Sequence, residues 1–566
     1  MTSPTLANPA MTDNLLFNHF ATLATAPDGI ARLRELILQL AVQGKLGTQD
    51  VGDEPALKLV ERIRKEKERL VKEGKIKKDK PLKMSDSEEP PCLLPKTWVW
   101  TRLSEVGLVN PRNYDIVDDE DVSFIPMTLI PVGYKKPAQH EIKKWGEIKA
   151  GFTHFADNDV VMAKITPCFQ NGKSVVLKNL KNGVGAGTTE LHVFRSIKNL
   201  VNPEYVLLFL KTPEFLETGI RRMTGSAGQK RVPNEYFSET PFPLPPLAEQ
   251  HRIVAKVDRL MALCDELEAR QQQERAGCLK LGTASLAGLQ NADSPEEFER
   301  QWAQVCDAFD LILDCPENVA VLRETILQLA VQGRLVRQEP GDEPAEKLVE
   351  RIRREKERLL KEGKIKHEKP LGKIKEVKIP AAWQLCHLGE ISEIIMGNSP
   401  PGETYNSYGD GVPLINGPTE FSKPPLGKTI ISQYTTQPTK FCKENDLLIC
   451  VRGATTGRTN IAGFDACIGR GVAVIRSPSI QSYLNLFILT KAQHILDMGT
   501  GSTFPSISQN DLLTIPVPLP PLAEQHRIVA KVDALMALCD ALESRLKERA
   551  GVQGRLAGAV VKQVAG

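Results

Sequence analysis

The stretch PLPPLAEQHRIVAKVDRLMALCDELEAR, residues 243–270, returns at 518–545 as PLPPLAEQHRIVAKVDALMALCDALESR, with three changes in 28 positions. The tandem prolines suit the end of an extended segment and the entry to a helix, since proline at the first helical position gives up only an amide that lacks a partner there. Beyond them Ile253, Val257, Leu260, Cys264 and Leu267 step by 4, 3, 4 and 3, and Ile528, Val532, Leu535, Cys539 and Leu542 repeat the steps. That spacing is a coiled-coil seam. It predicts that the two copies pair antiparallel about a pseudo-twofold axis. A helix of about 24 residues would span roughly 36 Å, close to one turn of duplex DNA.

Working outward, a second duplication appears. Residues 33–82 match residues 322–371 at 39 of 50 positions. Its offset of 289 (322 − 33) exceeds the 275 (518 − 243) of the first repeat, so constant segments bracket two inserts, the second 14 residues shorter. The organisation read from this is a helical region at 1–82, an insert domain at 83–242, a central helical region at 243–371, a second insert domain at 372–517 and a closing helix at 518–566. The constant segments read as helices. Ile30, Leu33, Leu36, Ile37 and Leu40 fall at helical spacing before Gly44, and Leu59, Val60 and Ile63 form the inner stripe of a charged helix ending at Gly74.

The inserts have another texture, with short apolar runs (NDVVMAKI, ELHVFR, NDLLICVRG, GVAVIR) between Gly-, Pro- and Thr-rich turns, and one helical stretch each. The fold class expected is α+β: two similar mixed α/β domains separated by long helices. Landmarks align between them, as in Asp159 to Lys164 followed by Gly172-Lys173 and Asp446 to Arg452 followed by Gly457-Arg458. The frame repeats while the polar residues differ.

Catalytic motifs are missing. NPEY at 202–205 resembles the NPPY of adenine methyltransferases but has Glu204 for the second proline and reads as a helix start. GVGAGTTE at 183–190 leads into a strand-like LHVF where a nucleotide loop would lead into a helix. GATTGRT from Gly453 is one residue and a lysine short of a phosphate loop. The eleven cysteines stand singly, without zinc spacing, and read as reduced thiols. No apolar run reaches 18 residues, and the first residues lack the basic and apolar blocks of a secretory signal.

What remains is polar and loop-borne. Lys164, Thr166, Gln170, Asn171 and Lys173 lie in one loop of the first insert, and Gln229, Lys230 and Arg231 in another. The second insert offers Arg452, Thr455, Thr456 and Arg458, then Ser502, Thr503, Ser506 and Gln509. Arg and Lys pair with guanine edges, Asn and Gln with adenine, and Ser and Thr with phosphates. These are the candidate DNA-binding residues. The net charge of +3 neither demands nor excludes a polyanion. Residues 95–242 carry 19 Lys+Arg against 16 Asp+Glu, and 380–517 carry 9 against 10. Neither insert has the excess that strong phosphate binding needs, so if DNA is the ligand these modules give specificity and something else supplies much of the affinity.

The sequence resembles the specificity subunits of type I restriction–modification systems along nearly its whole length. The resemblance rests on LPKTWVWTRLSEVG from Leu94, IPAAWQLCHLGEISEIIMGNSPPGETYN from Ile379, AKITPCFQNGK from Ala163, GSAGQKRVP from Gly225, and the doubled PLPPLAEQHRIV. It implies two target-recognition domains, each reading half of a bipartite, asymmetric sequence in double-stranded DNA, with the coiled coil as ruler between them. It implies a non-catalytic chain with no cofactor of its own, two methyltransferase subunits docked on the duplicated regions, and restriction subunits added to these. AdoMet, ATP and Mg would belong to those partners, and the setting would be the prokaryotic cytoplasm, off any membrane. The repeated polar residues Glu249, Gln250, His251 and Arg252, with Glu524, Gln525, His526 and Arg527, are assigned to docking the same partner twice. The rival reading is a coiled-coil scaffold whose inserts bind protein.

Overall fold

The structure, a computed structural model, describes residues 20–565 apart from Thr48, 77–91, Ala227, Lys364, 366–370, Glu376 and 500–504. The chain divides into two units, Met1–Gln273 with Lys547–Gly566, and Glu274–Leu546.

In the first unit the predicted helix runs Gly29–Val42 and buries Ile30, Leu33, Leu36, Ile37 and Leu40. It stops at Gly44, whose φ of 70° suits a residue without Cβ. The charged helix runs Ala56–Lys72 and buries Ala56, Leu59 and Ile63, with Val60 partly covered. The insert is closed by its own ends, because strand Val99–Arg102 pairs antiparallel with Pro241–Leu244. The expected boundary at 242/243 therefore falls inside a strand, and the one at 82/83 lies outside the described residues. Between the closing strands lie two sheets. One has the order Gly107–Val109, Leu191–Ser196, Val160–Ala163, Ser174–Val176, and is antiparallel throughout. The other has the order Glu141–Lys144, Asp121–Ile125, Val184–Gly187, Thr153–Ala156, with one parallel pair in its centre.

The glycine-rich GVGAG run is thus a strand, as its lack of a following helix indicates. A Cβ at Gly185 would meet the Ser123 carbonyl oxygen at 2.2 Å. NPEY is a helix start: Asn202 caps helix Pro203–Leu210 by accepting from the Glu204 amide. The single helix expected here is two, because Pro213 opens a second one, Pro213–Arg222.

The second unit repeats the plan. Gln384–His387 pairs with Pro516–Leu519 to close the insert. One sheet has the order Glu393–Met396, Val472–Arg476, Leu447–Cys450, Thr459–Ile461. The other is five-stranded, with Val412–Ile415 parallel to Ala466–Ile468 at its centre. The strands with matching sequence landmarks, Val160–Ala163 and Leu447–Cys450, hold the same place in the sheet order.

The repeated motif opens two helices, Leu247–Asn291 of 45 residues and Leu522–Ala565 of 44. Each is nearly twice the expected length, about 67 Å at 1.5 Å per residue. The polar run beyond Arg270 continues the first helix where the apolar step had seemed to end it.

The seam also has a different partner from the one expected. Ile253, Val257 and Cys264 are buried with Leu33, Leu36 and Ile37 in the first unit's core, and Leu260 and Leu267 pack on it. Arg34 reaches Asp265 and Glu268, Gln271 lies at Ala24, and Gly47 lies beside Ile253, so the Gly29–Val42 helix runs antiparallel to the long one. In the second unit Ile528, Val532 and Cys539 are buried with Val319, Ile326 and Ala330, and Leu535 and Leu542 pack on them. Each seam is therefore filled by the preceding constant helix of its own unit. That helix presents an apolar stripe of complementary spacing, which an analysis of one repeat at a time does not weigh.

Antiparallel pairing of the long helices is present within the second unit. Arg275 pairs with Glu317 and Gln290 with Thr325, which sets the end of the first long helix parallel to helix Glu317–Val331. Arg323 pairs with Asp540 and Glu543, and Arg527 with Asp342, which sets the second long helix antiparallel to both. Leu542 packs there on the cluster that includes Leu286 and Leu289.

Candidate nucleic-acid interface

In each insert the strand at the third place of the antiparallel sheet runs straight into a loop, and backbone bonds tie that loop to a second one. In the first domain Thr166 N–H donates to the Lys230 carbonyl at 2.9 Å, and Val232 N–H to the Lys164 carbonyl at 2.8 Å. In the second, Gly453 N–H donates to Pro505 at 3.0 Å and Ile507 N–H to Val451 at 2.9 Å. The structure thus brings Lys164–Lys173 together with Gln229–Arg231, and Arg452–Arg458 together with Ser506–Gln509. Ser502 and Thr503 lie outside the described residues.

Within these paired loops the candidates divide into those turned out and those tied in. Gln170, Asn171, Gln229 and Lys230 are exposed in the first domain, as are Arg452 and Gln509 in the second, the latter with its amide engaged, while Lys164 is half-buried. The others hold the loops. Lys173 Nζ donates to the Met127 carbonyl at 3.0 Å. Arg231 forks onto the Glu190 carboxylate, Nη2 to Oε1 being 2.8 Å, and holds that carboxyl below its ordinary range. Arg458 Nη2 donates to the carbonyls of Phe421 and Ser422, and Gln509 Nε2 to that of Ile394. Thr456 is buried, with Oγ1 donating to Gly453. Thr455 and Ser506 are half-buried beside them. Thr166 Oγ1 is buried without a partner among the described residues. As base readers Lys173, Arg231, Arg458 and Thr456 are corrected: their donors are engaged inside the fold. Except for Gly453, three residues before Thr456, their partners are brought in from other strands and loops, and no local spacing announces them.

Ion pairs beneath the loops repeat as well. Arg195 forks onto Asp159 and Arg476 onto Asp446, each carboxylate being almost wholly buried. His192, behind the first loop, donates from Nε2 to the Val232 carbonyl at 3.0 Å and stacks on Phe237. Burial pushes it down to about 4, so it is neutral at physiological pH.

The polar residues assigned to docking need a larger correction. Glu249, Gln250, Glu524 and Gln525 are buried. Gln250 accepts from the Asn202 amide at 2.8 Å and donates to the Pro245 carbonyl at 2.9 Å; Gln525 donates to Pro520. Glu524 accepts from the Trp383 indole at 3.1 Å. Neither oxygen of Glu249 has a donor among the described residues. Burial pushes its carboxyl up to about 7, against the nearby Trp98 indole and Arg252. Arg252 pairs with Asp53 and Arg527 with Asp342. Tyr205 and Tyr483 complete the arrangement, donating to the carbonyls of Pro243 and Pro518 at 2.9 and 2.6 Å. The repeated motif is an internal lock that joins each long helix to its insert domain. Of the eight, only His251 and His526 are exposed, and Asn202 Nδ2 donates to His251 Nδ1 at 3.1 Å.

Among the described residues no group of His, Cys, Asp or Glu could hold a metal, and no helix is long and apolar enough to cross a membrane. All eleven cysteines are unpaired.

The family profile for the type I restriction modification DNA specificity domain matches twice, at residues 95–275 and 380–550. The type I restriction enzyme EcoAI specificity subunit of Escherichia coli is 40% identical over 553 residues, covering 94% of this chain and 93% of that one. The EcoEI specificity subunit of the same species is 39% identical over 557 residues, with the same coverage. A chain from a solved structure on complex assembly and conformational transition of a type I R-M system superposes with a TM-score of 0.52. It is 24% identical and spans 84% of this chain and 99% of that one, which is a likeness of fold.

Proposed function

Since the chain belongs to the type I restriction modification DNA specificity family, we propose that its two inserts each read one half of a bipartite, asymmetric duplex sequence. It is the specificity subunit, the non-catalytic, DNA-recognising component of such a system. One observation carries the bipartite reading. Two domains share strand order, closing strands and paired loops, yet turn out different residues: Gln170, Asn171, Gln229 and Lys230 in the first, Arg452 in the second. A common frame with unlike readers suits two unlike half-sites, because guanine edges call for arginine and adenine edges for amides.

The near-identical helices suit a partner bound twice. With Glu249, Gln250, Glu524 and Gln525 buried, the docking face moves to the outward side of the long helices. There His251 and His526, Ala255 and Ala530, Ala262 and Ala537, and Leu263 and Leu538 are exposed in both copies. An exposed leucine flanked by alanines at the same place in both repeats fits a methyltransferase subunit docked once per repeat. Two such subunits, with restriction subunits added, would bring AdoMet, ATP and Mg, and their own cations would supply the phosphate contacts that the nearly neutral inserts lack.

The test is to express the chain with its methyltransferase partner and sequence methylated adenines genome-wide. A motif of two short specified blocks separated by an unread spacer is expected. A single uninterrupted motif, or methylation without sequence preference, would overturn the reading.

A further inference from the structure

We propose that Lys211 is a positioning residue for DNA reading by the first domain: by holding the Gly172 carbonyl it sets where Gln170 and Asn171 meet the base edges. The proposal rests on the reading of the Lys164–Lys173 loop as a DNA contact.

Lys211 ends helix Pro203–Leu210, its own amide bonded to the Leu207 and Leu208 carbonyls. Its side chain is 9% exposed, and Nζ donates to the Gly172 carbonyl at 3.0 Å. Burial alone pushes the ammonium down to about 8, with no carboxylate to compensate. An unpaired buried ammonium is costly, whereas a methionine would fill the same space at little cost, so the carbonyl bond is what distinguishes lysine there.

The geometry shows what that bond does. The loop is a tight self-bonded turn, with Asn171 N–H on Pro167, Gly172 N–H on Phe169 and Lys173 N–H on Cys168. It is pinned at three points. Phe169 is buried against Phe215 and packs so closely on Gly219 that a Cβ there would lie 2.4 Å from its ring. Lys211 holds Gly172, and Lys173 reaches the Met127 carbonyl. Gln170 and Asn171 are the two exposed residues between the pins. Removing one pin frees the turn on the side of Asn171 and leaves the core pin at Phe169 in place.

The second domain has the same juxtaposition with a different hold. Gly457, which matches Gly172, lies so near the end of helix Gln481–Thr490 that a Cβ would be 2.6 Å from the Ala492 carbonyl oxygen. The residue capping that helix is again a lysine, Lys491, whose ammonium lies 5.6 Å from the Phe487 ring centroid. In both domains the central helix end sets the height of the reading loop. In the first a side chain fastens it.

The experiment uses the full chain assembled with its methyltransferase, comparing wild type with Lys211→Met and Lys211→Arg by methylated-adenine sequencing. Lys211→Met should methylate sites mismatched in one half about tenfold more often, the loss expected of one charge-assisted hydrogen bond. Mismatches in the other half should still be rejected. Lys211→Arg, which retains donors for the carbonyl, should keep the wild-type motif. Equal relaxation of both halves, an unchanged motif in Lys211→Met, or relaxation by Lys211→Arg as large as by Lys211→Met would each overturn the proposal. Lys211→Gln, a milder neutral replacement, is measured alongside and judged by the outcomes set for Lys211→Met, should the latter fail to assemble. A wild-type complex that shows no bipartite motif would sink the reading of the domains instead.

Discussion

Replacing Glu249 by glutamine tests whether the repeated motif is an internal lock. The carboxyl is fully buried and its pKa stands at about 7, raised from 4.5. Between those values the folded chain binds the proton and the unfolded chain does not, so stability falls as pH rises through that window. Above pH 7 the whole penalty is present. At about 1.4 kcal/mol per unit, the shift corresponds to roughly 3 kcal/mol. Glutamine keeps the shape but carries no charge. Glu249→Gln should therefore match the wild type near pH 5 and exceed it by about 3 kcal/mol near pH 8, roughly 5 °C in Tm for a unit of this size. Denaturant and thermal unfolding of the full chain at both pH values are the assay. Glu524→Gln is the internal counterpart and should gain less, because Glu524 accepts from Trp383 at 3.1 Å. A Glu249→Gln chain less stable than wild type near pH 8, or shifted equally at both pH values, would refute the reasoning. So would loss of methyltransferase binding with stability unchanged, since that outcome belongs to a docking residue.

Four further outcomes are expected. Exchanging Trp98–Leu244, so that both closing strands travel together, for the matching segment of another family member should change one half of the methylated motif; a change in both halves would contradict modular reading. Arg452→Ala should cost about 1–3 kcal/mol of discrimination at one base pair, whereas equal losses on all sequences would make Arg452 a phosphate contact. Arg231→Ala should instead lower Tm by unpairing Glu190 and relax discrimination across the whole first half-site, and an effect confined to one base pair would reinstate it as a reader. Inserting one helical turn after Arg270, within the helix Leu247–Asn291, should lengthen the unread spacer and leave both half-sequences intact; an unaltered spacer would remove the ruler.

Why some of this was legible and some was not follows from where each partner lies along the chain. The prolines at 245–246 and 520–521 mark strand-to-helix passages because proline acts on its own backbone, and the structure has strands ending at Leu244 and Leu519. Helix starts are equally local: Asn202-Pro203 announces one, and Ser294-Pro295 with Glu297 opens helix Pro295–Asp307 by the same chemistry. The seam was a correct reading of an apolar face and a mistaken one of its partner, since a 4-3 step states that something packs there without stating what. The docking assignment failed for a sharper reason. Identity of polar residues in two copies follows from a shared partner, but equally from a shared internal bond, because both copies fold alike. Position could have separated the two. Glu249 and Gln250 precede Ile253 by four and three residues, so they continue the buried stripe, whereas His251 does not.

The same distinction governs the reading loops and sets how specificity could be altered. Lys173, Arg231, Arg458, Thr456 and Gln509 are polar residues in loops, indistinguishable by composition from Gln170, Asn171, Gln229, Lys230 and Arg452. Bonds to Met127, Glu190, Phe421, Gly453 and Ile394 separate holders from readers, and all but the Thr456 bond to Gly453 cross from one strand or loop to another. A holder has its donors engaged already, so changing it moves the backbone beneath every reader at once. A reader's donors are open to solvent, so changing it alters one base contact on an unmoved frame. Substitutions at those five readers should therefore shift the recognised sequence one position at a time, whereas substitutions at the holders should blur a half-site as a whole.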